Sequence, residues 1–316
     1  MKIECSKERL KEAVFLAERV TGKNLSLPIL SSVMLAAERS VLTVRATNLD
    51  IGVEIEVPAK IEQEGSVALN ATVLSGFLGN LYKEEKVTLD LKEDNIHVST
   101  DRSSTLIKGY PIDDFPLIPH VADGVEFRLE AKRLVEGLKS VSYAAALSDI
   151  KPEIASVYVY YDDGYLVFVS TDSFRLAEKR IPVDESAAES VPIIVPHKNV
   201  AEIIRIFDSL PGEVRINANK NQVSLYAEGV HFTTRVIDGV YPDYRQIMPK
   251  QFLTEVSVNK AELMQVLKLS NVFSDKFNQI DLSVDPAKGE LEINARNQDV
   301  GENTASAKIQ GAGEAV

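Results

Sequence analysis

The chain has 316 residues, of which 45% are hydrophobic and 26% are charged. This balance is usual for folded globular proteins and excludes a disordered or fibrous chain, and the length predicts two or three domains. The net charge of −12 argues against binding of nucleic acid, unless the basic residues are gathered on one surface.

Two features bear on the compartment. No apolar run approaches the roughly 18 residues that span a bilayer, and the start MKIECSKERL has charges where a signal peptide needs an apolar core. We therefore expect a cytoplasmic protein with no membrane partner. The single cysteine, Cys5, cannot form a disulfide within the chain and is predicted to be a half-buried strand residue.

The first structural unit begins with a short strand and continues into an amphipathic helix from Ser6, in which Leu10, Val14 and Ala17 recur at helical spacing. Residues 31–57 then predict strands around tight turns, because β-branched residues alternate along them. The sequence Ala-Thr-Asn at 46–48 predicts an Asx-type turn between two strands, and similar triplets recur at 170–172 and 295–297.

The same order of strand, helix and three strands recurs along the chain. The predicted helices start near Ser6, Thr72, Lys132, Lys198 and Lys260, at intervals of roughly sixty residues, which marks an internal repeat. Two such units make one domain. The sequence therefore predicts an α+β fold built from repeated units rather than from one continuous domain.

Two proline-rich segments, 110–116 and 241–249, separate pairs of units, and proline favours extended chain there. They predict domains over 1–120, 121–250 and 251–316, of which the third holds only one complete unit. Since half a domain would leave an open sheet edge, the sequence leaves two possibilities, a truncated chain or a genuine half domain.

Four short stretches carry a resemblance to a known family: LPIL at 27–30, TDSFRLA at 171–177, VP at 195–196 and YPDYR at 241–245. In their order and spacing, along the whole chain, they resemble the bacterial sliding clamps, the β subunits of DNA polymerase III. The resemblance implies a DNA clamp fold, with two repeated units in each domain and three domains in each subunit. Two subunits would join head to tail into a ring whose channel is lined by helices.

The resemblance also has an implication for the carboxyl end. The family's third domain runs on for about fifty residues more, which completes a domain of ordinary size. We therefore expect this chain to lack that part.

The channel helices would place basic residues near duplex DNA, held without sequence preference. The candidates are Lys7, Lys11, Lys132, Lys139, Lys198, Arg205 and Lys260, and the resemblance adds Lys23 and Asn24 after the first helix. Because Glu136 and Glu202 share these helix faces, ordinary solvated helices are the alternative interpretation. A closed ring needs only weak phosphate contacts, and weak contacts permit sliding.

The family's partners, DNA polymerases and the clamp loader, insert a short peptide with apolar anchors into a pocket between the second and third domains. The matching positions are Ile154, Thr171, Ser173, Phe174, Arg175, Leu176, Pro242 and Ile247. Without the resemblance, these would be interpreted as core or turn residues. The family often has Gly then His where this chain has Ser173 and Phe174, so we expect that wall of the pocket to be narrower and more apolar.

In the family, edge strands of the first and third domains pair between subunits of a homodimer. The resemblance places Thr105 and Ile107 on one side of this interface, and Val272 and Phe273 on the other. Val272 and Phe273 could equally be core residues. The third-domain strand that pairs is expected to lie beyond Val316.

Nothing in the sequence predicts catalysis or a cofactor. His97, His120, His197 and His231 lack the spacing of metal ligands and are each expected to be surface or packing residues, and no phosphate-binding glycine motif occurs. The acidic pairs at 113–114 and 162–163 fit turns better than a catalytic dyad. A peptide-binding scaffold that never meets DNA is the runner-up, and an undetected hydrolase is a third possibility.

Overall fold

The computed structural model describes residues 1–22, 27–121, 124–184 and 192–316. These residues form two compact units, Met1–Pro242 and Asp243–Val316. The division falls within the second proline-rich segment.

The first unit contains four repeats of strand, helix and three strands. The first two comprise β1 (Lys2–Ser6), α1 (Lys7–Val20), β2 (Ser32–Glu38), β3 (Val41–Thr47) and β4 (Ile51–Gln63), then β5 (Gly65–Asn70), α2 (Ala71–Asn80), β6 (Lys86–Lys92), β7 (Asn95–Ser99) and β8 (Ser104–Tyr110). The next two comprise β9 (Val125–Glu130), α3 (Ala131–Ser142), β10 (Ser156–Asp162), β11 (Tyr165–Thr171) and β12 (Leu176–Pro182), then β13 (Ile193–Pro196), α4 (His197–Phe207), β14 (Glu213–Ala218), β15 (Gln222–Ala227) and β16 (Val230–Arg235).

Each helix begins within one residue of its predicted start. Side chains at the amino ends explain the positions of α1 and α2. Ser6 accepts a hydrogen bond from the Arg9 amide at 3.5 Å, and Asn70 Oδ1 accepts one from the Val73 amide at 3.0 Å. Both side chains satisfy an amide that has no partner within the first turn of a helix. The repeat of the sequence is therefore a repeat of local structure.

Neighbouring repeats exchange their first strands. β1 pairs with β6 of the second repeat, and β5 pairs with β2 of the first. The same exchange joins the third and fourth repeats, through β9 with β14 and β13 with β10. The two repeats of each pair therefore share their sheets.

The strand β4 connects the two pairs of repeats. It pairs along one side with β3, while residues near its start pair with β16 and residues near its end pair with β1. The result is a continuous twelve-stranded sheet, and the four remaining strands form a second sheet in the order β12-β11-β10-β13. The helices form one layer, in which α1 packs on α2, α3 packs on α4, and α1 also meets α4.

The core of the first unit lies between the helices and the sheets. Apolar residues of α3 at helical spacing, including Leu134, Leu138 and Val141, are buried. Gly137 lies on the same side of α3, where a Cβ atom would be 2.5 Å from the Phe168 ring. The absence of a side chain at Gly137 therefore sets how closely α3 approaches β11.

Cys5 lies on β1, as predicted, but its side chain is buried rather than half-buried. Burial raises the pKa of the thiol to about 12. The residue is therefore a packing residue and not a reactive thiol at neutral pH.

The second unit holds one repeat: β17 (Thr254–Val258), α5 (Lys260–Val272), β18 (Asp281–Asp285), β19 (Glu290–Asn297) and β20 (Gly301–Gly313). Asn259 caps α5 by accepting hydrogen bonds from the amides of Ala261 and Glu262. The strands form one sheet in the order β17-β20-β19-β18. Its core is small and centres on α5 packed against β19 and β20.

No helix among the described residues combines the length and the apolar character that a membrane crossing requires.

Replacement of Gly137 by Ala tests the close contact between α3 and β11. Because the added methyl group overlaps the Phe168 ring, we expect the variant to be destabilised by about 1–3 kcal/mol. Gly76→Ala is the matched control, since a Cβ there meets nothing within 4 Å, and should instead stabilise α2 by about 0.5–1 kcal/mol. Urea unfolding followed by circular dichroism measures both, and equal shifts for the two variants would contradict the packing argument.

Candidate functional site

The five described helices carry the basic charge of the chain. They contain eleven Lys and Arg residues against six Glu, a net charge of +5, whereas the whole chain carries −12. The rest of the chain therefore carries −17. The helices therefore carry net positive charge in a protein that is acidic overall.

The predicted DNA-facing residues of α3 are exposed. Lys132, Glu136 and Lys139 share the solvent face of the helix. The Lys139 ammonium lies 2.7 Å from Asp208 Oδ1, and Lys179 lies 2.6 Å from Glu136 Oε1. These exposed ion pairs contribute little to stability and leave the basic side chains free to exchange partners.

The other helices follow the same pattern. Lys198 Nζ lies 3.2 Å from Asp50 Oδ2, Arg205 pairs with Glu202 one turn away, and Lys11 lies 3.5 Å from Glu8. In the second unit, Lys260 is exposed at the start of α5. The helix faces are therefore of mixed sign and solvated, as the alternative interpretation predicts, while the net charge is +2 on α3, +1 on each of α1, α4 and α5, and zero on α2.

One predicted DNA-facing residue does not face solvent. The Lys7 side chain is only 5% exposed, and its ammonium bonds to Glu8 at 2.7 Å. Lys7 lies on the face of α1 that carries the buried residues Leu10 and Val14, so helical periodicity turns it inward. Lys7 is therefore removed from the candidate surface. Two further predicted residues, Lys23 and Asn24, lie outside the described residues.

The turn between β11 and β12 holds most of the predicted peptide-pocket residues. Asp172 Oδ1 accepts hydrogen bonds from the amides of Phe174 and Arg175, both at 3.0 Å, and Thr171 Oγ1 donates to the Arg175 carbonyl at 2.7 Å. These bonds to the carboxylate lower the pKa of Asp172. The predicted Asx-type turn is confirmed, and it fixes the backbone on either side of Phe174.

The same turn occurs in the first repeat. Asn48 Oδ1 accepts from the amides of Asp50 and Ile51, and the backbone of Leu49 has φ 77°, the value also found at Ser173. A positive φ favours glycine, so a serine at 173 adopts a conformation that the family's usual glycine would adopt without strain. The Phe174 side chain is 97% exposed and is available for contact.

Other apolar side chains lie near this turn. The Arg175 guanidinium lies 5.8 Å from the Tyr143 ring at the end of α3, and the loop that follows exposes Leu147 and Ile150 almost fully. Contact by partners is a common reason for exposed apolar groups of this size. Tyr143, Leu147 and Ile150 were not predicted as site residues from the sequence, although the apolar run after α3 indicates an apolar surface there.

Further pocket residues flank the turn. Leu176 on β12 pairs with Thr171 on β11. Ile154 is partly buried and precedes β10, where the Ser156 carbonyl accepts a hydrogen bond from Ser170 Oγ. Pro242 follows Tyr241, whose ring stacks on Tyr158 with centroids 4.8 Å apart. Burial raises the pKa of Tyr241 to about 12. Ile247 belongs to the second unit and is exposed there.

The predicted interface residue Thr105 lies on an open strand edge. β8 pairs with β7 along its length, but with β5 only at Gly109 and Tyr110. Residues 104–108 therefore have one edge with no strand neighbour in the described part of the chain. Ile107, also predicted at the interface, is 6% exposed and packs in the core, so only its backbone is available.

The other side of the predicted interface lies at the end of α5. Val272 is 65% exposed, which excludes the alternative that it is a core residue of the single chain. Phe273 is partly buried beside Gly301.

Two histidines that were expected to be isolated meet at one carboxylate. His120 Nε2 lies 2.9 Å from Glu54 Oε2, and His231 Nδ1 lies 3.1 Å from the same atom. The imidazole rings are stacked with centroids 4.0 Å apart. His120 is half exposed and His231 is buried, in line with the expectation of surface and packing residues, but their meeting at one carboxylate was not predicted because they are far apart in sequence.

Family models for the N-terminal, central and C-terminal domains of the DNA polymerase III beta subunit match residues 1–119, 128–243 and 245–315. The chain therefore belongs to the DNA polymerase III beta subunit family.

Relatives and solved structures agree with this assignment. Over 314 residues the chain is 27% identical to the beta sliding clamp of Synechococcus elongatus and 25% identical to that of Bacillus subtilis, and each match covers 95% of this chain and 82% of the relative. The fold is similar to a sliding clamp structure from Bacillus subtilis, with a TM-score of 0.93 and 24% identity, and to one from Pseudomonas aeruginosa bound to griselimycin, with a TM-score of 0.92 and 23% identity. Both structural matches cover 100% of this chain and 86% of the other.

Replacement of Asp172 by Ala tests the turn that presents Phe174. Loss of the acceptor frees two amides, so we expect faster hydrogen exchange at Phe174 and Arg175, with β11 and β12 unchanged. Asp172→Asn retains the acceptor oxygen and serves as the control. Unchanged protection of both amides in the alanine variant, measured by NMR, would show that the turn does not depend on this side chain.

Proposed function

We propose that the chain is a non-catalytic subunit of a DNA sliding clamp, which encircles duplex DNA and tethers DNA polymerases and the clamp loader to it. The observation that carries the proposal is the concentration of positive charge on the helix layer of an acidic chain. Membership of the beta subunit family supports this function over a scaffold that never meets DNA. We also propose that the chain acts in the cytoplasm.

The charge distribution suits a partner that is held by enclosure. The ion pairs on α3 and α4 leave only a weak net positive charge on each helix, so affinity for any one phosphate is low. Tight binding would resist movement along the duplex. The proposed DNA-facing residues are Lys11, Lys132, Lys139, Lys198, Arg205 and Lys260, with Lys23 and Asn24 as predicted additions.

Enclosure requires the chain to pair with a second copy. We propose a head-to-tail homodimer in which the open edge of β8 at residues 104–108 pairs with a third-domain strand of the partner. An unpaired edge offers a row of backbone groups for such pairing. The exposed Val272, with Phe273 next to it, is proposed to pack beside that joint.

The domain division remains the one that the repeats predict, at 1–120, 121–250 and 251–316. Strand exchange between neighbouring repeats supports two repeats as one domain. The proposed peptide pocket uses Ile154, Thr171, Ser173, Phe174, Arg175, Leu176, Pro242 and Ile247. Because the turn at Asp172 holds the backbone in place, Phe174 and Arg175 would meet a peptide without first losing conformational freedom.

The first test measures two properties: the salt dependence of DNA binding, and the retention of the protein on circular compared with linear DNA. Replacement of both Lys132 and Lys139 by alanine should make the plot of log K for DNA association against log salt concentration less steep. The magnitude of the slope should fall by about 0.9 for each phosphate that is no longer neutralised. Lys60→Ala with Lys92→Ala removes two exposed charges from the sheet face opposite the core and should leave the slope unchanged. Protein loaded on nicked circular DNA should be retained, and cutting the circle should release it.

Equal retention on circular and linear DNA would contradict enclosure. A native mass of one subunit, measured on the protein that carries that third-domain strand, would contradict the dimer.

The second test concerns the peptide pocket. We expect Arg175→Ala with Leu176→Ala to weaken a peptide with apolar clamp-binding anchors by at least about tenfold, because central contact residues supply most of the binding energy. Leu49→Ala, in the equivalent turn of the first repeat, is the control. Calorimetry measures each affinity, and equal affinity for the double variant and the unmodified chain would exclude this site.

A further inference from the structure

A cluster of three metal-binding side chains lies on the sheet where β4 meets β16. Glu54 lies on β4, His231 lies on β16, and His120 comes from the segment between β8 and β9. Their donor atoms, Glu54 Oε2, His120 Nε2 and His231 Nδ1, all lie within 4.8 Å of one another. The cluster lines a cleft of about 580 Å³ that is apart from the helix layer and from the turn at Asp172.

Each of the three side chains has a second atom held by an outer partner. Glu54 Oε1 lies 2.7 Å from Arg45 Nε, His120 Nδ1 lies 3.1 Å from the Tyr226 hydroxyl, and His231 Nε2 lies 3.5 Å from Ser224 Oγ. This is the arrangement that orients metal-binding histidines and carboxylates, since the outer bond fixes which nitrogen is left to bind the ion.

We propose that Glu54, His120 and His231 bind one divalent transition-metal ion, with Zn²⁺ as the best match. Two imidazoles and one carboxylate are a ligand set that Zn²⁺ commonly takes, with a fourth position left for water. Imidazole donors disfavour Mg²⁺ and Ca²⁺. The cleft opens to solvent, so water can supply the fourth ligand. This inference does not depend on the proposed function.

The two contacts to Glu54 Oε2 need only small changes in distance. Donor atoms around a tetrahedral Zn²⁺ with bonds of about 2.0–2.1 Å are roughly 3.3 Å apart, compared with 2.9 and 3.1 Å for the two observed contacts to Glu54 Oε2. The stacked rings must also turn so that the ion lies in both ring planes. His120 can do so because its side chain is 54% exposed, whereas His231 and Glu54 are held by burial.

Charges near the cluster are compatible with a cation. Four glutamates and three arginines line the cleft, so its lining is slightly acidic. Arg45 is paired with the oxygen of Glu54 that faces away from the histidines.

A bound ion would join three separate segments of the first unit. β4 and the segment after β8 belong to the first two repeats, and β16 belongs to the fourth. The ion would therefore add a bond across the only strand pairing, β4 with β16, that continues the sheet between the two pairs of repeats in the described chain.

The test uses the full chain after removal of metals by chelation. Titration with Zn²⁺ against a chromophoric chelator should give one site per chain, and Co²⁺ should produce visible absorption bands of a tetrahedral site. Mg²⁺ should not compete. Tyr226→Phe removes the hydroxyl that bonds His120 and should weaken Zn²⁺ binding by roughly 10- to 100-fold. His120→Ala should lower the Zn²⁺ affinity further. His97→Ala is the matched control and should bind like the unmodified chain.

Thermal melting gives a second measure that does not rely on the chelator. Zn²⁺ should raise the melting temperature of the unmodified chain and of His97→Ala, but not that of His120→Ala. Because His120 is half exposed, its replacement should leave the metal-free protein folded. Equal Zn²⁺ affinity in His120→Ala and the unmodified chain, or no saturable site at all, would overturn the inference.

Discussion

The exchange of first strands between neighbouring repeats is the constraint on which the rest of the structure depends. Because β1 pairs with β6 of the second repeat and β5 pairs with β2 of the first, each repeat adds a strand to the sheet of the other. The exchange also fixes the direction in which the chain enters each helix. As a result, α1 to α4 lie in one layer, and charges that are scattered in sequence are collected on one side.

The sequence predicts the repeated architecture well because its determinants are local. Ser6, Asn70 and Asn259 cap helices within three residues of themselves, and Asn48 and Asp172 close turns over similar distances. Such interactions depend on side-chain chemistry at fixed spacing and can be inferred from the letters alone. The starts of α1, α2 and α5 follow from them, whereas no described side chain caps α3 or α4.

The candidate sites were less predictable, because they depend on orientation and on distant pairing. The charge of Lys7 predicts a solvent face, although its spacing from Leu10 and Val14 places it inward. His120 and His231 are 111 positions apart. The pairing of β4 with β16 sets His231 opposite Glu54. Hydrogen bonds of Val121 with Ser224 and Asn217 hold the segment that brings His120 to the same carboxylate. The polymerase-binding positions came from family resemblance and not from physical reasoning about residues.

The strand β4 gives the first unit a particular mechanical property. Five of its residues form a ladder with β16, so the two pairs of repeats share a sheet and not merely a covalent linker. A linker bends at one or two dihedral angles, whereas a ladder must be sheared along its whole length before its ends separate. Thermal bending at this junction is therefore distributed over many strands as a change in sheet twist. The two pairs of repeats in the first unit move together as one body.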